Sequence, residues 1–144
     1  MIKRGTEQFS GYNKPKRTPN HPTKSHAVFR LVLINDQKFP GYCRLETIEH
    51  IKELSDLEDQ TQIDLIKKII KIEKVLRELL NPDKINIASL GNMTPHLHWH
   101  IIPRYRNDSH FPNSIWGEAL RGPLKEFNTN EEESFINKCK SYLD

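Results

Sequence analysis

The tightest constraint in this chain is the run Pro95-His96-Leu97-His98-Trp99-His100-Ile101. Side chains of a strand alternate between its two faces, so a residue and its second neighbour share a side. The run therefore predicts a strand with His96, His98 and His100 on one face, each about 6.6–6.8 Å from the next. Leu97, Trp99 and Ile101 then point into a core. Three of the chain's seven histidines fall within five positions, denser than a merely polar strand face accounts for. Two chemistries fit such a face. A His-x-His pair on a strand can offer two imidazoles to one zinc. But three in line span more than one ion gathers, and no Cys or Glu ligand stands nearby in the sequence. Alternatively, neutral imidazole is a nucleophile near pH 7, so the middle histidine attacks phosphorus while its neighbours donate to phosphate oxygens.

The rest of the chain narrows the setting. At 144 residues it is the size of one domain, able to bury a core without disulfides. No run reaches the roughly 18 apolar residues of a membrane span, and the first residues lack the apolar segment of a secretory signal. Cys43 and Cys139 lie far apart, with no Cys-x-x-Cys pair, which excludes a disulfide framework or a Cys-rich zinc site and leads us to expect a cytoplasmic protein. The net charge is +3; residues 1–25 hold six Lys and Arg against Glu7, or +5, leaving −2 for the remainder. With Pro15, Pro19 and Pro22 and few large apolar residues, this stretch is expected to be a basic, flexible arm ahead of a domain over residues 26–144. The mild net charge does not point to nucleic acid.

Ala27–Ile34 reads as a buried strand and Tyr42–Glu46 as its antiparallel return, across a loop containing Asn35, Asp36 and Phe39-Pro40-Gly41. Ser55-Asp56-Leu57-Glu58 has the form of a capping box. From it Leu57, Ile63, Ile66, Ile69, Ile70, Leu76, Leu79 and Leu80 recur at helical spacing, predicting a packing helix of some two dozen residues that ends before Pro82. Ile85–Leu90 reads as a third strand and the histidine run as a fourth. A second capping box, Thr129-Asn130-Glu131-Glu132, opens a last helix that runs to Leu143. The expected fold class is α+β, a mainly antiparallel sheet with one long helix and a C-terminal helix.

His96-Leu97-His98-Trp99-His100-Ile101-Ile102 resembles the His-φ-His-φ-His-φ-φ signature of the histidine triad family at every position, and Pro103-Arg104 follows as it often does there. Upstream, Gly91-Asn92 resembles the family's Gly-Gln, Asn86 its Asn-bearing strand, and Pro40-Gly41-Tyr42 its Pro-Gly-His turn. Phe111-Pro112-Asn113-Ser114-Ile115-Trp116-Gly117 is similar to the Phe-Pro-x-x-Ile-Trp-Gly of a bacterial branch described as diadenosine tetraphosphate hydrolase-like.

The resemblance implies a hydrolase or transferase acting at an α-phosphate of a purine nucleotide conjugate such as a dinucleoside polyphosphate. His98 would be the nucleophile, giving a nucleotidyl-histidine that water hydrolyses; His100 and His96 would orient it and bond phosphate oxygens. Gly91, Asn92 and Asn86 would contact phosphate or ribose. Asn35 and Asp36 would bond ribose, with Ile34 and Phe39 walling the base. No resident metal or cofactor is implied beyond Mg²⁺ carried by the substrate, and a homodimer is expected. Tyr42 stands where the family has a further histidine, and Met93 where some members place a serine that serves the leaving group. The rival readings are a metal-dependent hydrolase using the three histidines as ligands, and a nucleotide-binding module silenced by Tyr42.

Overall fold

The computed structural model describes residues 2–5, 28–34, 36, 38–124 and 129–143. Its elements run β1 (Ile2–Gly5), β2 (Phe29–Ile34), β3 (Cys43–Thr47), a 3₁₀ turn (Leu54–Asp56), α1 (Asp59–Leu80), β4 (Lys84–Ala88), β5 (His98–Arg104) and α2 (Thr129–Leu143). The strands form a single five-stranded sheet in the order β1-β2-β3-β5-β4. All neighbours are antiparallel except β1 and β2. This is the expected α+β fold, with the last helix at the expected bounds. No helix among the described residues is long and apolar enough to cross a membrane.

Period-two alternation divides the sheet. Phe29, Leu31 and Leu33 of β2, Cys43 and Leu45 of β3, and Trp99 and Ile101 of β5 are buried in one cluster. Leu65, Ile69, Ile72, Val75 and Leu76 of α1 join the same cluster, as do Phe135 and Cys139 of α2. Both helices thus close the face on which Trp99 was expected to lie.

Three expectations need amending. Ile2–Gly5, inside the presumed arm, forms an edge strand parallel to β2, with Ile2 opposite Leu31 and Gly5 opposite Ile34. An unpaired strand edge is a template for another segment, a demand that charge composition does not register. The remainder of that arm, residues 1 and 6–25, lies outside the described residues. Second, Ser55 does not cap the long helix. It sits inside the 3₁₀ turn, where Glu53 and Asp56 form the box, and both Leu57 and Glu58 are extended before α1 begins at Asp59. Third, Ile63, Ile66 and Ile70 are 49, 49 and 44 % exposed, because the buried stripe is set by Leu65, Ile69, Ile72 and Leu76 instead. The helix is apolar on more than one side, and spacing alone did not choose between them.

Candidate active site

The other face of the sheet carries the chemistry. Register sets Glu46 opposite His98 and Arg44 opposite His100 on β3 and β5. It sets Arg30 opposite Glu46 on β2, and Ala88 opposite His100 on β4. Phe39, Tyr42 and Ile102 form a small apolar cluster here, with Ile34 and Ile115 packed against it. Phe39 is buried within that cluster rather than standing as an open wall.

His98 and His100 lie on β5, but His96 precedes the strand. Pro95 offers no N–H, and the His96 N–H closes a tight turn onto the Thr94 carbonyl at 2.8 Å. His96 therefore lies just ahead of the strand that carries the other two, and its ring is engaged by Thr47 and His50. Its Nε2 lies 2.6 Å from the Thr47 carbonyl, and its Nδ1 lies 3.4 Å from Nδ1 of His50.

Carbonyl oxygens only accept, which fixes where the protons sit. His98 Nδ1 is 2.6 Å from the His96 carbonyl, so it carries hydrogen and leaves the Nε2 lone pair available. His98 Nε2 lies 3.2 Å from Nε2 of His100, which must then be the donor. His100 Nδ1 in turn accepts from the Tyr42 hydroxyl at 2.6 Å. Burial pushes the Tyr42 phenol up to about 12, so it keeps its proton. Burial, followed by the neighbouring His98 and Arg44, lowers His100 to about 4, so it is neutral near pH 7. Burial also lowers His96, against the opposing pull of its Thr47 bond. Phenol, two imidazoles and a backbone carbonyl thus form one oriented chain that passes through the nucleophilic Nε2 of His98.

A strap of residues 105–121 encloses one side. Arg104, the last residue of β5, is 2 % exposed. Its Nε and Nη2 donate to Asp108 at 2.7 and 3.0 Å, Nη1 to the Asn86 Oδ1 at 2.8 Å, and Nη2 also to the Asn113 carbonyl at 2.8 Å. Burial would raise the Asp108 carboxyl, but Arg104 and the backbone N–H groups of His110, Phe111 and Tyr105 overcome it and hold it at about 2. The strap brings the Trp116 ring edge-on to His100 at 4.9 Å between centroids. Asn86, expected on substrate, spends its amide oxygen on Arg104. Asp36 accepts from the Lys38 N–H within its own turn, and Asn35 lies outside the described residues. Asn92 is exposed in the loop joining β4 to β5, beside Gly91 with φ of +92°. Among the described residues, no three His, Cys, Asp or Glu side chains gather as a metal site. Sequence reasoning missed Thr47, His50, the Arg30–Glu46–Arg44 group and the placement of Trp116. The alternation Cys43-Arg44-Leu45-Glu46 was the available signal for a charged face.

The HIT domain pattern matches residues 23–107, more than half of the chain. The chain belongs to the HIT domain family. A solved histidine triad protein from Bradyrhizobium japonicum is 29% identical with a TM-score of 0.67, the match covering 83% of this chain and 87% of that one. Another, from Marinobacter aquaeolei, is 31% identical with a TM-score of 0.62, covering 78% and 80%. The AP-4-A phosphorylase of Mycobacterium tuberculosis is 27% identical over 101 residues, 66% of this chain and 50% of that protein. This HIT protein thus spans about half the length of the curated relatives it matches.

Proposed function

We propose that this HIT protein is a nucleotide hydrolase or transferase that cleaves at the α-phosphate of dinucleoside polyphosphates or related conjugates through a nucleotidyl-His98 intermediate. One observation carries this reading: the Tyr42–His100–His98–His96 carbonyl chain leaves the His98 Nε2 lone pair as the only site for attack on that ring. In the first step Nε2 bonds to phosphorus and the bond from phosphorus to the bridging oxygen breaks, the leaving phosphates departing with the electron pair. Positive charge grows on the imidazole, and the His96 carbonyl, already bonded at Nδ1, stabilises it. The Nε2–H of His100 shifts from His98 to a non-bridging phosphate oxygen, stabilising charge where it develops. Water then attacks the same phosphorus and the bond to His98 Nε2 breaks, its electron pair returning to the ring, which releases the nucleoside monophosphate while the water's proton passes to solvent. The mycobacterial AP-4-A phosphorylase supports this substrate class. No resident cofactor takes part, Mg²⁺ entering with the polyphosphate. Pairing with a second copy belongs to the same reading.

The engagement of the His96 ring with the Thr47 carbonyl speaks against all three histidines holding one ion. Tyr42, a hydrogen-bond donor to His100, supports a working site over a silenced one. The test is single-turnover hydrolysis of diadenosine tetraphosphate, with mass spectrometry of quenched protein. Wild type is expected to carry a nucleotidyl adduct on His98. His98→Asn should lose adduct and turnover by about four or more orders of magnitude, and His100→Asn by about one to three. His96→Asn should cost less than His100→Asn, because the His96 ring bonds Thr47 and its contribution to His98 is a backbone carbonyl. Retention of activity within about tenfold by His98→Asn would remove the nucleophile assignment.

A further inference from the structure

Beside the histidines, on the same sheet face, three charged side chains are joined through Glu46. The Glu46 side chain is 3 % exposed and each of its oxygens is occupied. Oε2 accepts from Arg30 Nε at 2.7 Å, with Nη2 also at 2.7 Å. Oε1 accepts from Arg44 Nε at 2.6 Å, with Nη2 at 2.5 Å. Burying ionic groups in a sheet does not stabilise a fold relative to apolar residues of similar size, so stability gives no account of why β2 and β3 carry this trio. The carboxylate is consumed inside the group, while the guanidinium side chains remain 21 and 23 % exposed.

We propose that the Arg30–Glu46–Arg44 group is an anion subsite that takes a distal phosphate of the substrate, with Arg44 as its contacting residue. Arg44 stands opposite His100 and diagonal to His98, at a separation of about 7–8 Å between backbones that a long side chain bridges. A phosphate beyond the one attacked by His98 falls within its reach. Glu46 acts as the fixed hinge of the fork, holding both guanidinium planes so that little freedom is lost when phosphate arrives. A planar guanidinium pairs with phosphate oxygens through charge-assisted bonds. The subsite deepens the functional reading above and rests on it for the direction of the polyphosphate chain. It selects for a substrate with more than one phosphate, and a nucleoside monophosphate leaves it unfilled.

The experiment is calorimetric titration of the full chain with inorganic tripolyphosphate and with AMP, at low salt, for wild type, Arg44→Gln and Arg44→Lys. Wild type should bind tripolyphosphate. Arg44→Gln should weaken that binding by about tenfold or more, the worth of one charge-assisted bond, and change AMP affinity by less than about threefold. Arg44→Lys keeps the charge and the carboxylate's second partner, and should recover most of the loss even where the glutamine variant folds poorly. The proposal is overturned if wild type does not bind tripolyphosphate, if either variant loses AMP and tripolyphosphate alike, or if Arg44→Gln binds tripolyphosphate as wild type does. Binding is read without turnover, so failure to find a nucleotidyl-His98 adduct would count against the catalytic reading and not against this subsite.

Discussion

Tyr42 occupies the place where a histidine was expected, yet it delivers what that position requires, a donor aimed at His100 Nδ1. With the phenol held near 12 the hydroxyl is a donor throughout the neutral range, and His100 is confined to the tautomer that carries hydrogen on Nε2. Tyr42→Phe keeps the ring and deletes the donor. It leaves a buried nitrogen without its partner, at a cost of about 1–3 kcal/mol. Single-turnover hydrolysis should slow by about tenfold, while ¹⁵N shifts of the His100 ring should show both tautomers where wild type shows one. Tyr42→His restores a donor and should recover most of the rate. A Tyr42→Phe protein with wild-type rate and an unchanged His100 spectrum would remove Tyr42 from the chain.

The strap is held to the sheet chiefly through one buried ion pair, Arg104 with Asp108 at the end of β5. Arg104→Leu leaves the Asp108 carboxylate buried without its countercharge, and such a loss costs about 3–5 kcal/mol. Urea unfolding should show it, and Trp116 fluorescence should lose its sensitivity to His100 protonation as the strap loosens. A cost under about 1 kcal/mol would mean that the strap is anchored elsewhere. The same elements show how far the sequence could be read. Alternation placed Trp99 in the core and His98 with His100 on the opposite face, because a strand's period leaves no other choice. Helix α2 was legible to its bounds. What stayed hidden depended on contacts between segments distant in sequence: Asn86 reaching Arg104, Glu46 reaching Arg30, and the His96 ring meeting Thr47. For α1, two apolar stripes competed, and only packing against the sheet decided between Leu65-Ile69-Ile72 and Ile63-Ile66-Ile70.

Because the histidine face is buried, the stability of the whole domain should track its protonation. His100 titrates near 4 when folded and near 6.5 when unfolded, and His96 is shifted the same way. Between those limits the unfolded chain takes up protons that the native state refuses, so stability rises with pH across that window. The contribution is complete above about pH 6.5 and drains away towards pH 4, on the order of 3 kcal/mol for His100. Asp108 has the opposite polarity of charge but the same direction: its contribution is present above its unfolded value of 3.8 and lost as pH falls through about 2, below the range of interest. On the alkaline side, burial raises Cys43, and it raises Cys139 from 9.0 to about 12 and Tyr42 from 10.0 to about 12. The unfolded thiols and phenol therefore ionise first, and stability declines above about pH 9. Urea unfolding at intervals between about pH 5 and pH 10.5 should give a plateau bounded by these two limbs. His96 also contributes to the acid limb, so the decisive quantity is the difference from His100→Asn, whose slope between about pH 5 and 6.5 should be shallower than wild type's. Equal slopes would show that His100 is as easily protonated in the folded protein as in the unfolded chain, and the neutral donor it presents to His98 would go with it.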